Sequence, residues 1–163
     1  MGTGTEMPSA GIGEIRIGEI SLDEVVLATI EPMHGNQLVV YTHLKQGVDA
    51  QLVPATRIVL SDKLSEGHAL AIGGLLGSDG DQIVGGWRGK PGAPDSTTGV
   101  AVWTPLDPKG EQWRETMIDA DDMACEDLQL ADLNGDGKLD IIASGRATRN
   151  SKIYLNETAP AQP

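Results

Sequence analysis

Apolar and polar positions in this chain fall into short runs that end at turn-forming residues, and nowhere do apolar residues keep a helical period. Residues 23–30 (DEVVLATI) form an apolar run opened by acids, residues 31–36 (EPMHGN) break it, and residues 37–42 (QLVVYT) resume with β-formers, which predicts a hairpin. The same grammar returns at 81–87 (DQIVGGW), a Gly/Pro-rich loop and 99–104 (GVAVWT). It returns once more at 140–146 (DIIASGR), a polar loop and 152–155 (KIYL). Residues 57–60 and 116–118 each predict a further strand. Residues 1–13 lack periodicity and read as a loose lead-in, with order beginning near Glu14.

The leading residues Asp23, Asp81 and Asp140 are spaced by 58 and 59 positions, which marks a repeat. The segment 68–77 (HALAIGGLLG) lies over 126–135 (EDLQLADLNG) at an offset of 58. One unit is a strand, an acidic turn, a strand, a variable loop, a strand, a spacer and a strand. Four antiparallel strands per repeat predict an all-β chain built as a partial β-propeller of about two and a half to three four-stranded antiparallel blades. The expected blades span about 14–61, 62–120 and 121–157, followed by a tail at 158–163. Propellers close with about four to eight blades. The remaining ones are therefore expected from a longer chain or from self-association, because open faces and strand edges favour pairing.

Composition narrows the function. The 163 residues carry 24 Asp and Glu against 12 Lys and Arg, a formal charge of −12. A surface of that sign repels phosphate backbones and anionic lipid, so no nucleic-acid partner and no membrane insertion are expected. A single cysteine, Cys125, excludes an internal disulfide and a Cys-based zinc cluster, and with no base beside it in sequence it reads as a buried, inert thiol. The first residues carry neither a basic nor an apolar leader segment.

The sharpest motif is 132–140 (DLNGDGKLD), which sets oxygen donors at positions 1, 3, 5 and 9 and a glycine at position 6. Calcium takes six to eight hard oxygen ligands, and this spacing wraps one ion with Asp132, Asn134, Asp136, the Lys138 carbonyl and Asp140. An EF-hand would need a bidentate Glu at position 12. Ala143 stands there inside a strand-like run, so the loop joins two strands.

The stretch 130–142 (LADLNGDGKLDII) resembles the calcium-loop signature of the FG-GAP/VCBS repeats. That resemblance implies a propeller, a structural calcium ion, and an extracellular or periplasmic setting. The second repeat departs from the signature. Gly74 and Leu76 replace two ligands and the loop aligns one residue short, so no ion is expected at Asp81.

Propeller topology would place the calcium loop on one face and the blade-to-blade connections on the other. His68 and Glu126 hold equivalent positions at strand starts on that second face, joined by Glu31, His34, Trp87, Arg88, Cys125, Asp127 and Arg146. His34, His68, Arg88 and Glu126 are the expected ligand-binding set, since imidazole and carboxylate coordinate or shuttle protons and Arg neutralises a carboxylate. Plainer roles stand beside these: His34 as a solvated turn residue, His68 bonded to main chain, Trp87 and Trp103 as packing. Asp119, Asp121 and Asp122 read as a solvated acidic cluster, and 156–158 (NET) fits a glycosylation pattern. No catalytic elbow, P-loop or zinc-protease motif is present. The expected function is a non-enzymatic, calcium-stabilised module for protein or carbohydrate recognition. The alternative is part of a carbohydrate lyase or dehydratase similar to the aldos-2-ulose dehydratases.

Overall fold

The computed structural model describes residues 11–46, 52–53, 56–77 and 80–159. The described residues are strands and turns with no helix. Strands β1 (Glu14–Ser21), β2 (Glu24–Glu31) and β3 (Gln37–Thr42) run as a meander. A short hairpin, β4 (Lys45–Gln46) and β5 (Leu52–Val53), which sequence reasoning did not foresee, precedes β6 (Thr56–Ser61). Next come β7 (Gly67–Gly73), β8 (Gln82–Trp87), β9 (Gly99–Pro105) and β10 (Trp113–Ala120). The last three are β11 (Cys125–Ala131), β12 (Asp140–Gly145) and β13 (Asn150–Tyr154).

These strands make three antiparallel sheets in the orders β1-β2-β3-β6, β7-β8-β9-β10 and β11-β12-β13, with β4-β5 apart. The segments at 57–60 and 116–118 lie within β6 and β10, the fourth strands of the first two sheets. The first sheet packs on the second through Val26, Ala28, Ile30, Leu38 and Val40 against Leu70, Ile83, Trp87, Ala101 and Trp103. Ala69, Val84, Val100 and Val102 on the opposite side of the second sheet meet Cys125, Leu128, Ile141 and Ala143 of the third. Burial on both faces explains why β8 has every residue buried and no polar alternation, whereas an open sheet face would need it. Trp87 and Trp103 are packing residues in this core, as their plainer reading held.

Pairing registers correct the sequence alignment of the second and third units. Gly73 faces Gln82 and Ala131 faces Asp140, so the offset is 58 without a gap and Gln82, not Asp81, stands in the place of Asp140. Local bonding repeats as well. Gln82 Oε1 accepts Leu75 N at 2.7 Å, and Asp140 Oδ2 accepts Leu133 N at 3.0 Å. Asp81 instead ties two sheets: its Oδ2 accepts Glu19 N at 2.9 Å. The register shifts also coincide, one between Gly67 and Ala69 and the other between Cys125 and Asp127, which makes His68 and Glu126 the extra residue of equivalent bulges.

Candidate functional site

A bulge re-aims the side chain it adds, and the two bulges turn His68 and Glu126 toward each other at the strand-start end of the sheets. His68 Nδ1 lies 2.7 Å from the Glu126 carbonyl oxygen, and its Nε2 lies 3.4 Å from Glu126 Oε2. Arg88 follows β8 and donates from one terminal nitrogen to both Glu126 oxygens at 2.9 and 3.2 Å, while its Nε donates to Glu66 Oε2 at 3.1 Å. Arg146 occupies the position after β12 that Arg88 occupies after β8, and its Nε lies 2.8 Å from Glu126 Oε1. His34 sits at φ 55° in the turn between β2 and β3, and its ring stacks on His68 with centroids 4.6 Å apart.

The four residues expected to bind ligand, His34, His68, Arg88 and Glu126, are thus brought together from three sheets. Partial burial pushes the Glu126 carboxyl up, but the Arg88 hydrogen bond and the charges of Arg88, His68 and Arg146 hold it below the usual carboxylate range. The site therefore presents an ionised carboxylate ringed by cations.

Several residues expected on this face lie elsewhere. Glu31 is fully buried and accepts hydrogen bonds from the Tyr41 hydroxyl at 2.6 Å, Thr29 Oγ1 at 2.9 Å and Arg57 at 2.6 and 3.2 Å. Trp87 is in the core, with Nε1 donating to Thr97 Oγ1 at 3.1 Å. Cys125 is buried between sheets, and burial pushes its thiol up to about 12, the inert state expected of it. The acidic spacer also differs from expectation. Asp119 is buried and takes Lys152 Nζ at 2.7 Å and the Tyr154 hydroxyl at 2.8 Å, joining β10 to β13. Asp122 shares the same lysine at 2.6 Å, while Asp121 stays exposed.

Sequence reasoning missed Glu66 and Arg149. Glu66 is held at φ 56° beside Arg88, and no periodic signal marks a residue of a two-strand connection. Arg149 shares a surface depression with Glu126 and Arg146. Arg146 lies outside the expected binding set, although its 58-residue offset from Arg88 points to it.

Antiparallel pairing puts the acidic loop at the far end of β11 from Glu126. Gly135 and Gly137 adopt φ 77° and 82°, the left-handed region that glycine enters without steric cost. Asp132 Oδ1 accepts Gly135 N at 2.7 Å and Asp136 N at 3.2 Å, and its Oδ2 accepts Gly137 N at 2.9 Å. Asn134 Oδ1 accepts Asp136 N at 3.0 Å, and Asp136 Oδ1 accepts Lys138 N at 3.0 Å. Asp140 is fully buried, and its oxygens accept Leu133 N at 3.0 Å and Asn156 N at 2.9 Å.

Among the described residues no three His, Cys, Asp or Glu side chains gather as a metal cluster. The donor set nonetheless suits calcium, because every group on it is a hard oxygen and three belong to carboxylates. Asn156 Nδ2 donates to the Leu75 carbonyl at 2.6 Å and the Leu139 carbonyl at 3.1 Å. Attachment of a glycan there would break that bridge.

The chain matches no protein-family model, and comparison with curated proteins returns no match.

Proposed function

We propose that the chain is a non-catalytic recognition module. The three sheets are successive blades of a partial propeller of the FG-GAP/VCBS kind, a calcium ion fixes the loop at one end, and the cluster at the other end meets a protein or carbohydrate ligand. One observation carries this reading: His34, His68, Arg88 and Glu126 lie far apart in sequence, yet they converge at the end opposite the acidic loop.

The electrostatics favour binding over proton transfer. A general base works best with a pKa near the working pH, whereas Glu126 is held ionised and weakly basic by its cations. Calcium bound at the loop would neutralise Asp132, Asp136 and Asp140 and fix the register of β11 against β12. Remaining blades come from a longer chain or a second copy. The exposed Ile15 and Ile17, on the face of the first sheet turned away from the second, suit such a contact. An extracellular or periplasmic setting follows from millimolar calcium there.

A second reading, carbohydrate lyase or dehydratase, draws on the stacked imidazoles of His34 and His68. Screening the protein against an oligosaccharide panel, with product analysis on every binder, separates the two. Recognition predicts a bound, unaltered sugar whose affinity falls at least tenfold in His68→Ala and Arg88→Ala. Turnover that His68→Ala abolishes would replace this reading with the enzymatic one.

A further inference from the structure

The third sheet has three strands where the first two have four, so the far edge of β13 meets no strand among the described residues. Beside that edge, between the second and third sheets, lies a groove of about 400 Å³ lined in part by Leu75, Leu76, Thr116, Ile118, Leu139 and Tyr154. We propose that this groove takes an extended segment of a separate polypeptide, which pairs antiparallel with β13 and carries an aromatic residue two positions before an acid. The surface is apart from the His68 cluster and goes beyond the recognition reading given for that end.

The gap between the first two sheets shows what fills such a groove. Ile58 pairs with Val40 as Thr116 pairs with Val102, and Leu60 and Ile118 are the extra residues of matching bulges. Ile58 and Leu60 are half-buried, because β10 arrives from the next sheet and packs Trp113 on the same core. Thr116 and Ile118 hold the same places one sheet further on, yet they are exposed, since no fourth strand of the third sheet reaches them. A further blade stacked on the far face of the third sheet would leave them so, because the groove lies on the face turned to the second sheet.

The repeat also sets the register and chemistry of the visiting strand. Tyr154 pairs with Ile141 as Trp103 pairs with Ile83. In the second sheet β10 places Trp113 opposite Pro105 and Glu115 opposite Trp103. The visitor therefore places its aromatic residue opposite Asn156, beside Leu75 and Leu139, whose carbonyls Asn156 holds. Its acid falls opposite Tyr154, where Arg114 lines the same groove. In strand addition of this kind main-chain hydrogen bonds supply affinity, and pockets for alternate side chains supply selectivity. Among the described residues a second copy has no strand outside a sheet to lend, which points to a different chain.

Calorimetric titration of the whole chain, at fixed calcium, with a peptide of residues 111–120 (EQWRETMIDA) tests the proposal, because that strand fills the equivalent place one sheet earlier. The expected result is saturable binding to a monomeric chain. Binding should weaken at least tenfold for the peptide carrying Trp113→Ala, and equally for the peptide carrying Arg114→Pro and Thr116→Pro, which lacks the N–H groups of a ladder. In the protein, Thr116→Trp fills the groove from an exposed position and should weaken binding at least tenfold with an unchanged melting temperature. No binding, equal binding of the proline peptide, or undiminished binding by Thr116→Trp would each overturn the proposal. A dimeric chain that the peptide splits into monomers would assign the groove to a second copy and overturn it as well. The reading of the His68 end stands or falls separately, on its own ligand screen.

Discussion

Glu31 carries its carboxylate into a fully buried site, and three neighbours make that tolerable. Tyr41, Thr29 and Arg57 together occupy both of its oxygens. Although burial alone would push the Glu31 carboxyl up, these bonds hold it below the usual range. Burial and the bond to Glu31 push the Tyr41 phenol up to about 12. Removing one partner of a buried pair leaves the other charge uncompensated, so Arg57→Ala should cost about 3–5 kcal/mol in urea unfolding. A loss under about 1 kcal/mol would show that water reaches Glu31.

Glu31, Asp119 and Glu126 share one sign of pH response, since each is held below its ordinary value in the fold. A carboxyl depressed on folding contributes stability that is present above its unfolded pKa and lost as pH falls through the folded one. Melting temperature should therefore be flat near neutrality and fall as the pH drops through and below the ordinary carboxylate range. Glu126→Gln should shallow that fall, and an unchanged slope would mean that the cations around Glu126 do not stabilise its ionised form in the fold.

The grouping of Glu126 with His68 and Arg88 was legible in the sequence, but the partnerships of Glu31 and Asp119 were not. Arg57 and Glu31 lie 26 residues apart, and Lys152 and Asp119 lie 33 apart. Periodicity sets which face a residue occupies and says nothing about which strand returns beside it. Asp119, Asp121 and Asp122 consequently looked alike, although only Asp119 points into a packed seam.

At the level of elements the repeat was much more readable, because strands are written in apolar runs and turns in glycine, proline and acids. Hairpins at 23–42 and 81–104 and strand starts at His68 and Glu126 followed directly. The one-residue misalignment at Asp81 arose from matching like with like. Asp81 and Asp140 share a residue type, but the structural role belongs to a side chain that accepts the backbone N–H of the preceding turn, which Gln82 and Asp140 both do. Asp140 thus has a duty apart from any ion. Asp140→Ala should strand two backbone N–H groups, at about 1–3 kcal/mol each, and lower the melt with or without calcium. Asp136 lies exposed at the loop tip, so Asp136→Ala should act only when calcium is present. A calcium-free melt lowered equally by both would contradict that division of labour.

Over the whole molecule, a chain of net charge −12 collects Arg88, Arg146 and Arg149 at one end and Asp132, Asp136 and Asp140 at the other. The middle sheet is covered on both faces, which gives the described residues a continuous core built from strands. We propose that calcium bound at the acidic loop stabilises this stack. Thermal unfolding in excess chelator and then across a calcium titration tests it most directly. At a hundredfold excess over Kd, bound ligand adds about 2.7 kcal/mol, enough for a shift of several degrees. The expected result is a saturable, calcium-specific rise that Asp136→Ala abolishes; a cooperative melt indifferent to calcium would show that the loop holds no stabilising ion.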